Sequence, residues 1–149
     1  MSNLNPEQVP VGVVGLGLMG CSITTCLLMA KHKVVAVAGI PADLDHAKDR
    51  ITHHLVKSKE EGLTDLNQGY FLSRLLITGD YSQLKDCALV IECTLENIDI
   101  KKSVYQKIES VISQDAILTS NTSAIPISIL QSHTQFPKRF LGLHWAEPS

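Results

Sequence analysis

The chain has 149 residues, 44% hydrophobic and 19% charged, which is enough apolar material for one ordinary domain and lies well outside the disordered range. A formal charge of -2 gives no global field for nucleic acid or an anionic membrane, and no apolar run is long enough to span a bilayer. Met1 to Pro10 is polar without a signal or transit pattern, and the four cysteines form neither C-x-x-C nor zinc-finger spacing with histidine. Reduced thiols in a cytoplasmic protein, with no metal site, are therefore expected.

Short apolar runs alternate with helical periodicity along the whole chain, which predicts a parallel sheet with helical crossovers. The first strand is Val9 to Val14, almost wholly apolar and so buried on both faces. Gly17 to Lys31 has helical spacing, with Ile23, Leu27, Leu28 and Met29 on a core face and Cys21 and Cys26 as fillers. Val34 to Ala38 is the second strand. Asp43 or Asp45 is expected to cap the next helix, which runs to about Glu61 and stops at Gly62. Leu63 to Ser73 reads as irregular and Leu75 to Thr78 as a strand before the Gly79-Asp80 turn. A buried strand follows at Ala88 to Cys93, a helix from about Ile98 to Ile112, and a strand at Ala116 to Ser120. A short helix, Ile127 to Gln131, and a last strand, Phe140 to His144, complete the pattern. The expected architecture is one Rossmann-type α/β domain over residues 1–149, a doubly wound, mostly parallel sheet with helices on both faces.

Gly15-Leu16-Gly17-Leu18-Met19-Gly20 is a G-x-G-x-x-G run between the first strand and the first helix, the context that binds a dinucleotide. The first glycine makes the tight turn, the second admits the backbone to a pyrophosphate, and the third packs helix on strand. The helix N-terminus supplies free N–H groups and partial positive charge. A packing turn without a ligand is the plainer alternative. The acid that accepts from the adenosine ribose at the end of the second strand is absent: that strand ends Val37-Ala38-Gly39-Ile40-Pro41, and the nearest acid is Asp43. No arginine replaces it, so weaker or less selective NAD binding, or a different nucleotide ligand, is expected.

Three further clusters fall at predicted strand ends: Glu92 to Asn97 with Lys101 beyond, Ser120-Asn121-Thr122-Ser123, and Gly142 to Pro148 around His144. Singly, each has a plain reading. Glu96 and Lys101 serve as surface charges at a helix start, Asn121 and Ser123 as turn and capping residues, and the histidine as a structural one. Together they converge on one crevice at the carboxyl ends of the strands.

With these motifs in view, the sequence resembles the NAD-binding domain of the 3-hydroxyacyl-CoA dehydrogenases, which include bacterial 3-hydroxybutyryl-CoA enzymes. The similarity runs from Val9 to Pro148 and is carried by V-I-E-C-T-L-E-N, S-N-T-S and G-L-H-W-A-E-P more than by the glycine run. The resemblance implies that Gly15, Leu16, Gly17, Leu18, Met19 and Gly20 hold the pyrophosphate of NAD. It implies that Glu96 and Lys101 lie beside the nicotinamide ribose, with Asn121 also among the cofactor-binding residues. Ser123 would contact the substrate oxygen, and His144 would act as the general base that takes the hydroxyl proton during oxidation of a 3-hydroxyacyl-CoA, a step of fatty-acid metabolism. Imidazole and hydroxyl suit these tasks.

Four departures from the family pattern stand out. Ala38 replaces the strand-two acid, Glu147 replaces an asparagine after the histidine, and Asp49 and Glu61 occupy positions of CoA-binding lysines. The glutamate partner of the base and the C-terminal helical domain lie beyond Ser149, so a longer polypeptide and little activity from this chain alone are expected. An apolar face left by that domain makes a homodimer a further expectation. A non-catalytic nucleotide-binding or scaffold module is the alternative that the departures favour.

Overall fold

The computed structural model describes residues 5–146. Six strands form one parallel sheet in the order β3-β2-β1-β4-β5-β6, with β1 Val11–Val14, β2 Val34–Val37, β3 Leu75–Thr78, β4 Leu89–Glu92, β5 Ile117–Ser120 and β6 Phe140–Gly142. β1 is central, with Val11 opposite both Val34 of β2 and Leu89 of β4. The chain therefore winds outward in both directions from β1, and the crevice between the ends of β1 and β4 is the switch point where such sheets bind ligands. This is the Rossmann-type doubly wound sheet expected from the alternation.

The period of two along each strand sorts side chains between two cores. Val11 and Val13 face one layer with Ile23 and Leu28 of helix α1 (Leu18–Met29) and Ala47, Ile51 and Leu55 of α2 (Pro41–Glu60). Val14, Val90 and Leu118 face the other, with Val104, Tyr105 and Ile108 of α4 (Ile98–Glu109) and Leu130 of α5 (Ile127–Gln131). Each fully buried aliphatic side chain contributes about 1.5–3 kcal/mol, so the two cores fix the strand ends that carry the polar clusters.

Several boundaries differ from expectation for identifiable reasons. Neither Asp43 nor Asp45 caps α2. Pro41 occupies the first helical turn behind Ile40, so the helix starts earlier and Asp43 lies inside its first turn, favourably placed against the helix dipole. The stretch read as irregular contains a short helix, α3 (Gln68–Leu72), whose Phe71 is buried in the first core. α4 ends at Glu109, and the amides of Val111 and Ile112 close a turn on the Ile108 carbonyl. β6 stops at Gly142, although Leu143 still donates to the Ser120 carbonyl at 3.0 Å. His144 thus lies just past the strand rather than in it. Glu147 is outside the described residues.

Candidate active site at the carboxyl ends of the strands

One wall of the crevice is backbone. Gly15 has φ +95°, and a Cβ there would lie 2.8 Å from the Cys93 carbonyl, so only glycine permits this turn at its approach to β4. Its amide donates to the Val37 carbonyl at 2.9 Å, tying the turn to β2. A Cβ on Gly20 would lie 1.8 Å from the Gly15 carbonyl oxygen, which is the close helix–strand packing the third glycine allows. Gly17 caps α1 without any side-chain hydrogen bond, and a Cβ on it would meet nothing within 4 Å. The first-turn N–H groups of α1 therefore face an open approach, as a diphosphate requires. Leu16 is fully buried, so it offers only backbone to a ligand. Leu18 is exposed and Met19 half-buried.

Beside this turn opens a cavity of about 270 Å³, lined by Gly15, Gly17, Gly39, Ile40, Asp43, Cys93, Thr94, Leu95, Ile100 and Val104. Its lining is mainly apolar, which suits a flat base more than a charged group. Burial pushes the Cys93 thiol up to about 12, with the Glu92 carboxylate adding to the rise, so it is a wall and not a nucleophile.

The other wall is a network of side chains. Glu92, at the end of β4, is fully buried and accepts from Lys101 Nζ at 2.9 and 3.0 Å, from Ser120 Oγ at 2.6 Å and from Tyr105 Oη at 3.2 Å. The Thr94 amide and hydroxyl donate to the same carboxylate at 2.6 and 2.5 Å. This saturation is what makes a buried ion pair tolerable. Lys101 is equally buried. Besides Glu92 it donates to the Thr94 carbonyl at 3.3 Å and lies 3.6 Å from Glu96. It is no surface charge, and it meets the crevice through Glu96.

Glu96 in turn holds the turn after β5. Its Oε1 accepts from the amides of Ser123, Ala124 and Ile125 at 3.0, 2.8 and 3.2 Å, and from the Thr122 hydroxyl. Burial alone would raise the Glu96 carboxyl. The Thr122 hydroxyl, the two amides that follow Ser123 and the Lys101 ammonium more than reverse this and hold it down to about 2. The turn so fixed presents Ser123, whose Oγ lies 2.9 Å from His144 Nε2. Both are exposed at the edge of a cavity of about 430 Å³ between the Thr122–Ile127 segment and the Gly142–His144 segment. Asn121 accepts from the Trp145 amide at 2.7 Å, which locks the backbone just past His144. The residues singled out at three strand ends, far apart in sequence, thus converge on one crevice.

Sequence reasoning gave Glu92 no role of its own, although a glutamate inside the apolar run Ala88 to Cys93 was a signal, because a buried charge requires partners. Ala38 is only 6% exposed and packs in the first core, so its side chain offers no acceptor at the end of β2.

The residues fit a dinucleotide: a glycine cradle that a Cβ would fill, an uncapped helix terminus and an apolar slot at the switch point. The 3-hydroxyacyl-CoA dehydrogenase, NAD binding domain family matches residues 10–149. A 3-hydroxybutyryl-CoA dehydrogenase of Mycobacterium tuberculosis is 34% identical over 140 residues, covering 93% of this chain and 49% of that protein. The 5-formyl-3-hydroxy-2-methylpyridine 4-carboxylate 5-dehydrogenase of Mesorhizobium japonicum is 34% identical over 139 residues, covering 93% and 44%. Among solved structures, M. tuberculosis FadB2 superposes with a TM-score of 0.86 at 34% identity, covering 93% of this chain and 49% of that one. The chain spans about half the length of these relatives. It belongs to the 3-hydroxyacyl-CoA dehydrogenase family as an NAD-binding domain, and its cofactor is NAD.

Proposed function

We propose that this chain is the cofactor-binding part of a 3-hydroxyacyl-CoA dehydrogenase that oxidises 3-hydroxyacyl-CoA to 3-oxoacyl-CoA in fatty-acid metabolism. The observation that carries the reading is the 2.9 Å contact between Ser123 Oγ and His144 Nε2 beside the crevice. In this reading the Ser123 hydroxyl orients the substrate oxygen and His144 Nε2 takes the C3 hydroxyl proton. Glu96 and Lys101 act through the turn they hold: Glu96 binds three successive amides of the Ser123 segment, and Lys101 anchors Glu96 from below. Gly17 and the first turn of α1 bind the diphosphate through backbone N–H groups, at the turn that Gly15 makes and ties to β2. What bound NAD supplies is the acceptor for the hydride.

The chain's span of about half its relatives supports a second part that completes the substrate pocket, and the helical make-up of that part and the pairing of two copies as a homodimer belong to the same proposal. The cytoplasm is part of the same proposal, on the reduced-thiol reading of the four cysteines in the sequence. The non-catalytic module is not favoured, because the Ser123–His144 pair and the turn that holds it are fully assembled.

One observation favours a narrower alternative for the substrate. Asp49 and Glu61, which stand at the positions of the family's CoA-binding lysines, are both exposed on or just past α2, and Glu61 pairs with Lys57 at 3.7 Å. The M. japonicum relative is named for a pyridine carboxylate rather than a CoA thioester. The test joins this chain to the remaining half of the M. tuberculosis relative and follows NADH formation from 3-hydroxybutyryl-CoA. Turnover that falls by about 10²–10⁴ in His144→Gln supports the proposal. Turnover indifferent to that substitution contradicts it, and oxidation of a CoA-free 3-hydroxy acid alone moves the substrate class away from thioesters.

A further inference from the structure

The missing acid at the end of β2 leaves the adenosine ribose without its usual acceptor, because the Ala38 side chain is committed to the core. The chain reaches the same place by another route. Gly39 and Ile40 cross the mouth of the crevice, and a Cβ on Gly39 would touch Thr94 at 3.8 Å on the opposite wall. Pro41 then starts α2 at once, so that Asp43 falls in its first turn with its amide on the Ile40 carbonyl at 3.1 Å. Asp43 is half-buried and lines the cavity that Gly15 and Gly17 also line. No other residue lining that cavity is charged. Among the described residues, nothing donates a hydrogen bond to its carboxylate and no cation pairs with it.

We infer that Asp43 takes over as the acceptor for the adenosine ribose hydroxyls and makes this domain selective for NAD over NADP. The inference rests on the cofactor lying in this crevice. A ribose links the diphosphate, held at Gly17, to the base, held in the apolar slot, so a carboxylate bordering both faces the vicinal hydroxyls. Two charge-assisted O–H···O⁻ bonds bind the diol, whereas a 2′-phosphate at the same point meets like charge at close range. Arg50 lies two turns further along α2 and reaches back to the Leu16 carbonyl at 3.5 Å. A cation placed there could instead welcome a 2′-phosphate, and the experiment separates the two.

The test is calorimetric titration of the whole chain with NADH and with NADPH, for the parent, Asp43→Asn, Asp43→Glu and Arg50→Gln, with melting temperatures as the folding control. Asp43 as ribose acceptor predicts that the parent prefers NADH and that Asp43→Asn weakens NADH about tenfold or more. It also predicts that Asp43→Asn narrows the gap to NADPH, and that Asp43→Glu recovers part of the NADH affinity at an unchanged melting temperature. NADH affinity unchanged in Asp43→Asn overturns the inference and leaves the cofactor site standing. A parent that prefers NADPH, with the preference lost in Arg50→Gln, overturns it in favour of the arginine. A parent that binds neither nucleotide overturns both this inference and the cofactor reading beneath it.

Discussion

The two walls of the crevice are built by opposite means. The β1–α1–β2 wall is backbone: a left-handed turn at Gly15, an amide row at the start of α1, and a contact at Gly20 that excludes even a methyl group. The β4–β5–β6 wall is a chain of side chains running from Glu92 through Lys101 and Glu96 to Ser123 and His144. A diphosphate is a fixed, fully charged group that repeated N–H donors recognise well. Proton transfer needs side chains whose positions are set to within fractions of an ångström. The buried Glu92–Lys101 pair is placed where it gives the second wall that rigidity.

If that contrast is right, the two walls fail differently. The largest effect is expected from Lys101→Met, which strands the Glu92 carboxylate in the core. Unfolding in urea should show a loss of about 3–5 kcal/mol, and the double variant Glu92→Gln with Lys101→Met should recover part of it. A cost no greater than that of a surface substitution would mean the pair is not the anchor described. Gly20→Ala comes next, because its methyl group must displace the Gly15 carbonyl. It should cost about 1–3 kcal/mol in stability and at the same time abolish measurable NADH binding, whereas normal binding would show that the turn relaxes.

Glu96 sharpens the comparison through pH. Its carboxyl titrates near 2 in the folded chain against 4.5 for an unperturbed glutamate, so its stabilisation is complete above about pH 4.5 and is lost as pH falls through 2. The melting-temperature gap between the parent and Glu96→Gln should be widest near neutrality and close across that window. A gap constant with pH would contradict the role of the ionised group. The smallest effect is expected for Ser123→Ala. The serine is exposed, so stability should change by less than about 0.5 kcal/mol with NADH affinity intact, while turnover in the joined protein drops.

The same contrast governs how much could be read from the sequence. The backbone wall was legible, since G-x-G-x-x-G between an apolar run and a helix leaves few alternatives and all six strands stand near where hydrophobic runs placed them. The side-chain wall was legible only in part. Ser123 and His144 could be named, but not the order in which Glu92, Lys101 and Glu96 hold them, because those contacts join residues on different strands and helices. Lys101 shows the difficulty: three residues into a helix with charged neighbours, it looks solvated, and only the fold buries it beneath Glu96. The α3 helix around Phe71 was hidden for a similar reason, as five residues are too few for periodicity to register. The start of α2 differs from the expected cap because Asp43 only has the residue type of one, and the proline two positions before it starts the helix.

The account depends most directly on where NAD touches the chain, and amide chemical shifts followed by NMR as NADH is added to the labelled chain report that contact residue by residue. The prediction is a set of saturable shifts centred on Gly15, Gly17, Leu18 and Met19, extending to Ile40 and Asp43 and to Thr94 across the crevice. Shifts scattered over the surface, or confined to the outer face of α2 with the glycine turn unmoved, would contradict it.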